Sequence, residues 1–153
     1  MIILLFFYLL LIVSPISIFF HELGHAIGAM KVKANSVSLT IGMGEKLFSL
    51  SMRNLSIVIN KMYFMGGVTK SNRNSDYKVH EQVLISLMGP FANGVLSIIL
   101  LILYFYFPNP NLYFEIGIGF NIWLFITNLL PIRIRGKSTD GYLILEALST
   151  KHE

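Results

Sequence analysis

The sequence His21-Glu22-Leu23-Gly24-His25 directly follows twenty residues, 1–20, that contain no charged side chain. On an α-helix, residues i and i+4 lie on the same face, so the imidazoles of His21 and His25 can reach a single metal ion. Glu22 lies beside them, where its carboxylate can exchange protons with a water molecule. The pattern predicts a metal centre at the end of an apolar helix.

A helical His-Glu-x-x-His pattern forms the zinc site of many soluble metalloproteases, with two histidine ligands and a glutamate as general base. Five such residues can also occur by chance. However, ionisable groups beside an apolar span are costly and are kept mainly where they have a function. A bound cation offsets this cost by compensating the nearby negative charge. We therefore identify His21 and His25 as metal ligands and Glu22 as a catalytic base.

The composition indicates an integral membrane protein, because 54% of the 153 residues are hydrophobic and only 13% are charged. The sequence contains no cysteine, which excludes disulfides, thiolate zinc ligands and a cysteine nucleophile. The net charge of +4 comes from Lys and Arg residues that border apolar segments. We expect the lipid bilayer as a partner and no nucleic acid. The length predicts one domain, residues 1–153.

Three apolar segments are predicted to cross the membrane as helices, at about residues 1–29, 83–107 and 112–132. The first could be mistaken for a signal peptide. It has no basic n-region and no Ala-x-Ala-like cleavage site, and it leads directly into the His-Glu pattern. We therefore interpret it as the first span.

Polar and helix-breaking residues within the spans predict which faces turn inward. Gly89-Pro90 interrupts the second span, which also carries Asn93. Such residues are tolerated where neighbouring helices satisfy the exposed polar groups, so we expect them on an interior face. Asn121 in the third span is expected to form a hydrogen bond between helices.

The region between the first two spans has β character, and we place a surface sheet at about residues 35–70. Residues 36–41 alternate with a period of two, and two further alternating stretches on either side of Arg53-Asn54 predict a β-hairpin. Gly66-Gly67 predicts a turn or a close backbone approach. The remaining expectations are a solvated loop at 71–78, a tight turn at 108–111 and a short helix at 142–148.

The basic residues predict the orientation of the chain. Eight of the 12 Lys and Arg residues lie between the first and second spans, none between the second and third, and four after the third. The positive-inside rule then places the N-terminus outside and both basic segments inside. We expect a multi-pass protein of a bacterial cell membrane with its active site towards the cytoplasm. This topology brings Asp140, which follows the third span, to the side of His21 and His25.

Three motifs in this order carry a resemblance to a known family: His21-Glu22-Leu23-Gly24-His25, Ser86-Leu87-Met88-Gly89-Pro90-Phe91-Ala92-Asn93, and Asn128-Leu129-Leu130-Pro131 followed by Asp140-Gly141. The chain resembles the site-2 proteases, intramembrane zinc metalloproteases. Met65-Gly66-Gly67-Val68-Thr69-Lys70 is also similar to the Gly-Gly hairpin of many members. The resemblance implies an α-helical membrane core of three transmembrane helices with a small surface sheet between the first two. We expect no appended PDZ-like or CBS-like domain.

The resemblance also implies the roles of the site residues. One Zn²⁺ ion would be bound by His21, His25 and Asp140, with Glu22 as the catalytic base, while Asn93 would position the substrate or stabilise the oxyanion. Eight residues, 132–139, separate Pro131 from Asp140, more than in many members. Three other residues therefore remain candidates for the third ligand: Glu45, Asp76 and His80.

The leading functional hypothesis is an intramembrane zinc endopeptidase that cleaves a membrane-embedded protein or a small peptide by metal-activated attack of water. Its partner would be a transmembrane or membrane-associated peptide, held by strand addition to the predicted sheet. A membrane metal-ion carrier is an alternative that explains the His and Asp residues but not Glu22. The third hypothesis is a non-catalytic relative that binds a membrane partner, and the intact Glu22 argues against it.

Overall fold

The computed structural model describes residues 1–108, 111–134 and 136–149. Three helices in these ranges are long and apolar enough to cross a membrane, and we name them the first, second and third spans: Ile2–Lys31, Val79–Tyr106 and Leu112–Leu129. They confirm the three predicted spans and the assignment as an integral membrane protein. The predicted turn at 108–111 includes Asn109 and Pro110, which lie outside the described residues.

The first span is one continuous helix with a local widening. Its α-helical segments, Ile2–Tyr8 and Ser14–Lys31, are joined by a π-helical turn, Leu9–Val13. Pro15 lies two residues after the end of this turn and has no N–H to donate to the carbonyl four residues earlier. The wider turn accommodates the proline, so the helix continues to the His-Glu pattern.

The first and second spans are in close backbone contact through small residues. A Cβ atom at Gly28 would lie 3.1 Å from the Cα atom of Ile85, and one at Gly24 would overlap the backbone carbonyl of Met88. Glycines allow this approach because van der Waals packing, rather than the hydrophobic effect, drives helix association in lipid. Both helices can therefore present polar side chains to the same narrow space.

The second span shows why its polar residues are tolerated. Gly89, Pro90 and Asn93 are all buried, which confirms the predicted interior face. The helix runs through Pro90 without ending, so the predicted interruption at Gly89-Pro90 is wrong.

The predicted surface sheet forms from β1 (Ser36–Met52) and β2 (Leu55–Asn72), and the hairpin at Arg53-Asn54 is confirmed. The first half of β1 is the centre of this sheet, since Leu39 is opposite Thr69 on one side and Ile57 on the other. Burial alternates along residues 36–41, as the period of two predicts. The buried side chains pack against small residues near the C-terminal end of the first span, and this core contains Ala26, Ala29, Ala34, Val37, Leu39 and Ile41.

The distal half of the sheet exposes large apolar side chains next to basic ones. The exposed apolar residues are Leu47, Phe48, Leu50 and Met52, and Lys46 and Arg53 lie within the same stretch. A mixture of apolar and basic groups suits the interface between lipid and water. The sheet is therefore suited to a position at the membrane surface.

The eight-residue segment after Pro131 folds back on itself. It forms a small hairpin of β3 (Arg133–Ile134) and β4 (Lys137–Ser138), which leads into the helix Asp140–Ser149. The Thr139 hydroxyl donates to the Leu130 carbonyl at 2.5 Å, and the Thr139 Oγ1 accepts from the Ile132 amide at 3.0 Å. These bonds close the loop, so the start of the new helix lies against the end of the third span.

We predict that Gly24→Ala lowers the thermal stability of the detergent-solubilised protein. The added methyl group must push the first and second spans apart, which we expect to cost about 1–3 kcal/mol. Gly119→Ala is the matched control, because a Cβ atom there meets nothing within 4 Å. Equal melting temperatures for the two variants would contradict the close packing of the first two spans.

Candidate metal centre

Three side chains from two separate regions of the chain meet in the C-terminal half of the first span. The Nε2 atoms of His21 and His25 lie 3.1 Å apart. The Asp140 carboxylate oxygens lie 3.1 Å from His21 Nε2 and 3.2 Å from His25 Nε2. Within the described residues, these three form the one group of His, Asp or Glu side chains with metal-site spacing.

The outer nitrogens of both imidazoles are held by acceptors. His21 Nδ1 lies 2.7 Å from the Asn93 Oδ1, and His25 Nδ1 lies 2.8 Å from the Ile85 carbonyl oxygen. Amide and carbonyl oxygens only accept hydrogen bonds, so each Nδ1 carries the proton in the neutral ring. Both Nε2 atoms therefore present lone pairs to the centre.

These donor atoms fit a zinc ion. Two nitrogen lone pairs and a carboxylate face one another at 3.1–3.2 Å, an arrangement that is repulsive unless a cation lies between them. Ligands of a tetrahedral Zn²⁺ ion with bonds of about 2.0–2.2 Å lie about 3.3–3.6 Å apart. Two histidines and one carboxylate are also the protein ligands of several catalytic zinc sites, in which a fourth position remains for water or substrate.

Asp140 reaches the centre because its helix begins against the end of the third span. A Cβ atom at Gly141 would overlap the carbonyl of Leu129, so only glycine permits this approach. The start of this helix holds the Asp140 carboxylate oxygens next to the Nε2 atoms of both histidines, where all three side chains can contact the same cation.

The longer segment before Asp140 does not displace this residue from the histidines. Of the alternative third ligands, Glu45 is exposed and paired with Lys61 at 2.5 Å. Neither Asp76 nor His80 belongs to the group that converges on the histidines in the described part of the chain. The geometry thus favours the ligand set His21, His25 and Asp140.

Glu22 lines the same cavity as the three ligands. This cavity has a volume of about 340 Å³, and the other lining residues are Gly67, Val68, Thr69, Ile85, Ser86, Asn128, Ser138 and Leu143. Glu22 is buried, yet no other residue that the structure describes donates a hydrogen bond to its carboxylate. The carboxylate is therefore available to a water molecule or a substrate.

The strand that follows Gly66 passes close to Glu22. A Cβ atom at Gly67 would lie 2.7 Å from the Glu22 Cγ, which confirms the predicted close backbone approach. The Thr69 hydroxyl donates to the Glu22 backbone carbonyl at 2.9 Å and fixes the strand to the first span. The contact of Thr69 could not be predicted from the sequence, because the alternation of the strand does not reveal which polar residue meets the helix.

Asn93 lies behind His21 rather than in the cavity. Its side chain is fully buried and contacts His21, Ser17 and Asn121, which confirms the expected interhelical hydrogen bond of Asn121. The role of Asn93 towards substrate stays a prediction. Ser17 was not among the predicted site residues, although it precedes His21 by four residues and therefore shares its helix face.

The comparison with known protein families agrees with this geometry. A model of Peptidase family M50 matches residues 6–113, a range that includes the His-Glu pattern and Asn93 and ends before Asp140. No curated protein matches the chain. The family model covers most of the chain, so the chain belongs to Peptidase family M50, the site-2 protease family of metallopeptidases.

Proposed function

We propose that the protein is an intramembrane zinc endopeptidase that cleaves a transmembrane or membrane-associated peptide. The observation that carries the proposal is the position of Glu22, whose carboxylate shares a cavity with the three converging ligand side chains. A site that only stores or transports a metal needs the ligands but not an adjacent base. A hydrolase needs both.

The ligand residues would hold the ion, and Glu22 would move the protons. When bound, Zn²⁺ supplies Lewis acidity for the attack of water on a peptide carbonyl. Glu22 accepts a proton from the attacking water and delivers a proton to the departing amide nitrogen as the C–N bond breaks. One peptide and one water thus give a carboxylic acid product and an amine product, and the glutamate is regenerated.

The substrate would lie as an extended strand along Gly67, Val68 and Thr69. These residues line the cavity and pair with β1 on one side only, and their other edge has no strand partner in the described ranges. An extended peptide can add to such an edge through backbone hydrogen bonds. The missing side chain at Gly67 would let the peptide backbone approach the Glu22 carboxylate.

This binding mode implies that the substrate unwinds before it is cut. A helix in lipid keeps its peptide groups hydrogen-bonded internally, so its carbonyls are not accessible to attack. The edge of β2 offers replacement hydrogen bonds at the polar end of the spans. Substrates with glycine or other weak helix formers near the cut would unwind at lower cost.

We predict that Glu22→Gln abolishes cleavage of a transmembrane substrate while zinc remains bound. The amide cannot accept the proton from water, and loss of a general base lowers rates by about 10²–10⁴-fold. His21→Ala is the comparison variant and should lose both zinc and activity. Cleavage by purified Glu22→Gln protein at the unmodified rate would contradict the proposed role of Glu22.

We predict that Asp140→Ala loses zinc and activity to a similar extent as His25→Ala, because each variant removes one of three ligands. Metal content of the purified proteins measures this directly. Glu45→Ala is the matched control, since it removes an exposed carboxylate that is remote from the histidines in this structure. Zinc content and cleavage that stay normal in Asp140→Ala would refute the third ligand.

We also propose the orientation given by the basic residues, with the metal centre towards the cytoplasm. Reporter fusions after Asn74, Asn109 and Lys151 should read inside, outside and inside. Any other order would place the substrate's cleavage site on the opposite side of the membrane and would refute the orientation.

A further inference from the structure

We propose that Asn121, in the third span, is a positioning residue for the metal centre: together with the Ser17 backbone carbonyl, it holds the Asn93 amide in the one orientation that presents its oxygen to His21. The inference rests on the proposed function only in taking His21 as a metal ligand. It assigns a role in metal binding to a residue that lies outside the cavity and two hydrogen bonds away from the ligand.

The contacts of Asn93 allow only one orientation of its amide. Its Nδ2 atom lies 3.0 Å from the Ser17 carbonyl oxygen and 3.0 Å from the Asn121 Oδ1, and both of these oxygens accept. Its Oδ1 atom lies 2.7 Å from His21 Nδ1. A flipped amide would set its oxygen against two other oxygens and its NH₂ group against the His21 N–H.

Asn121 is itself held in a fixed orientation. Its Nδ2 atom donates to the Ser17 Oγ at 3.0 Å and to the Gly117 carbonyl at 2.8 Å, which leaves Oδ1 to accept from Asn93. Asn93 has a side chain with no exposed surface, and Asn121 and Ser17 are each 1% exposed. Water therefore cannot replace these partners, and the network has a single pattern of donors and acceptors.

This pattern determines which His21 nitrogen faces the metal centre. With the Asn93 oxygen at Nδ1, the ring carries its proton on Nδ1 and presents the Nε2 lone pair to His25 and Asp140. If the amide flipped, Nδ1 would accept a hydrogen bond and the proton would move to Nε2, where it blocks metal binding. Groups behind metal-binding histidines typically contribute roughly 10- to 100-fold to metal affinity.

The test compares Asn121→Leu with Asn121→Asp. Leucine has a similar size but no acceptor for Asn93, so zinc affinity, measured by competition with a chelator, should fall roughly 10- to 100-fold. Aspartate keeps an acceptor oxygen whether or not it is protonated, so the zinc affinity of Asn121→Asp should stay within about threefold of that of the unmodified protein. If Asn121 only supported helix packing, zinc affinity would fall at least as much in Asn121→Asp as in Asn121→Leu.

A second pair of variants covers the case in which Asn121→Leu does not fold. Ser17→Ala removes the hydroxyl that holds the Asn121 amide and should lower zinc affinity in the same direction by a smaller factor. Ser97→Ala is its matched control, because Ser97 is also a buried serine but donates to the carbonyl of Gly94 in its own helix. Unchanged zinc affinity in Ser17→Ala and Asn121→Leu, or equal losses in Asn121→Leu and Asn121→Asp, would overturn the proposal.

A spectroscopic measurement on the metal-free protein separates this inference from the proposed function. Nitrogen-15 NMR of the His21 ring should show the Nδ1–H tautomer in the unmodified protein and a mixture of tautomers in Asn121→Leu. A single Nδ1–H tautomer in both proteins would overturn the positioning role. Failure of the unmodified protein to bind zinc would instead refute the proposed function, while the tautomer comparison would still decide the role of Asn121.

Discussion

Three hydrogen-bond acceptors lie within 3.1–3.2 Å of one another at the end of an apolar helix: the Nε2 atoms of His21 and His25 and the carboxylate of Asp140. Buried polar atoms without partners cost free energy, and a carboxylate facing two lone pairs costs more than any of the groups alone. A bound cation would remove this repulsion, so metal binding would be coupled to the folding of this end of the molecule. The surrounding structure must therefore hold His21, His25 and Asp140 together when no ion is bound.

Two kinds of packing hold the ligands in place. Small residues bring the backbones of the first two spans together at Gly24 and bring Gly141 against the third span, so the ligands are attached to rigid elements. The sheet supplies the other support: its buried strand packs on the first span, and Thr69 ties the neighbouring strand to Glu22. The edge that would receive a substrate is thereby fixed relative to the base, without depending on a mobile loop.

Much of this arrangement could be predicted from the sequence, because the relevant signals are local. The spacing of His21 and His25, the apolar spans and the alternation at 36–41 each follow from the geometry of a single helix or strand. The proximity of Asp140 required a family resemblance, since it depends on a hairpin whose fold is set by Thr139 and by contacts with the third span. The orientation of Asn93 could not be predicted, because a polar residue in a span does not reveal which neighbour its oxygen meets.

The hydrogen bonds of Asn93 and Asn121 also argue against the alternative function of a metal carrier. A transit path needs successive sites whose polar atoms are free to exchange ligands with the ion. Behind His21, away from the cavity, the next polar residues are Asn93, Asn121 and Ser17. Both asparagine amides already use their two N–H donors, and each amide oxygen already accepts one hydrogen bond. In the described parts of the chain, the ligand group at His21, His25 and Asp140 has no second group of this kind to which an ion could pass. These contacts favour a catalytic metal site over a transit path, because an ion bound at the centre would meet no further group of free ligand atoms beyond His21 in the described parts of the chain.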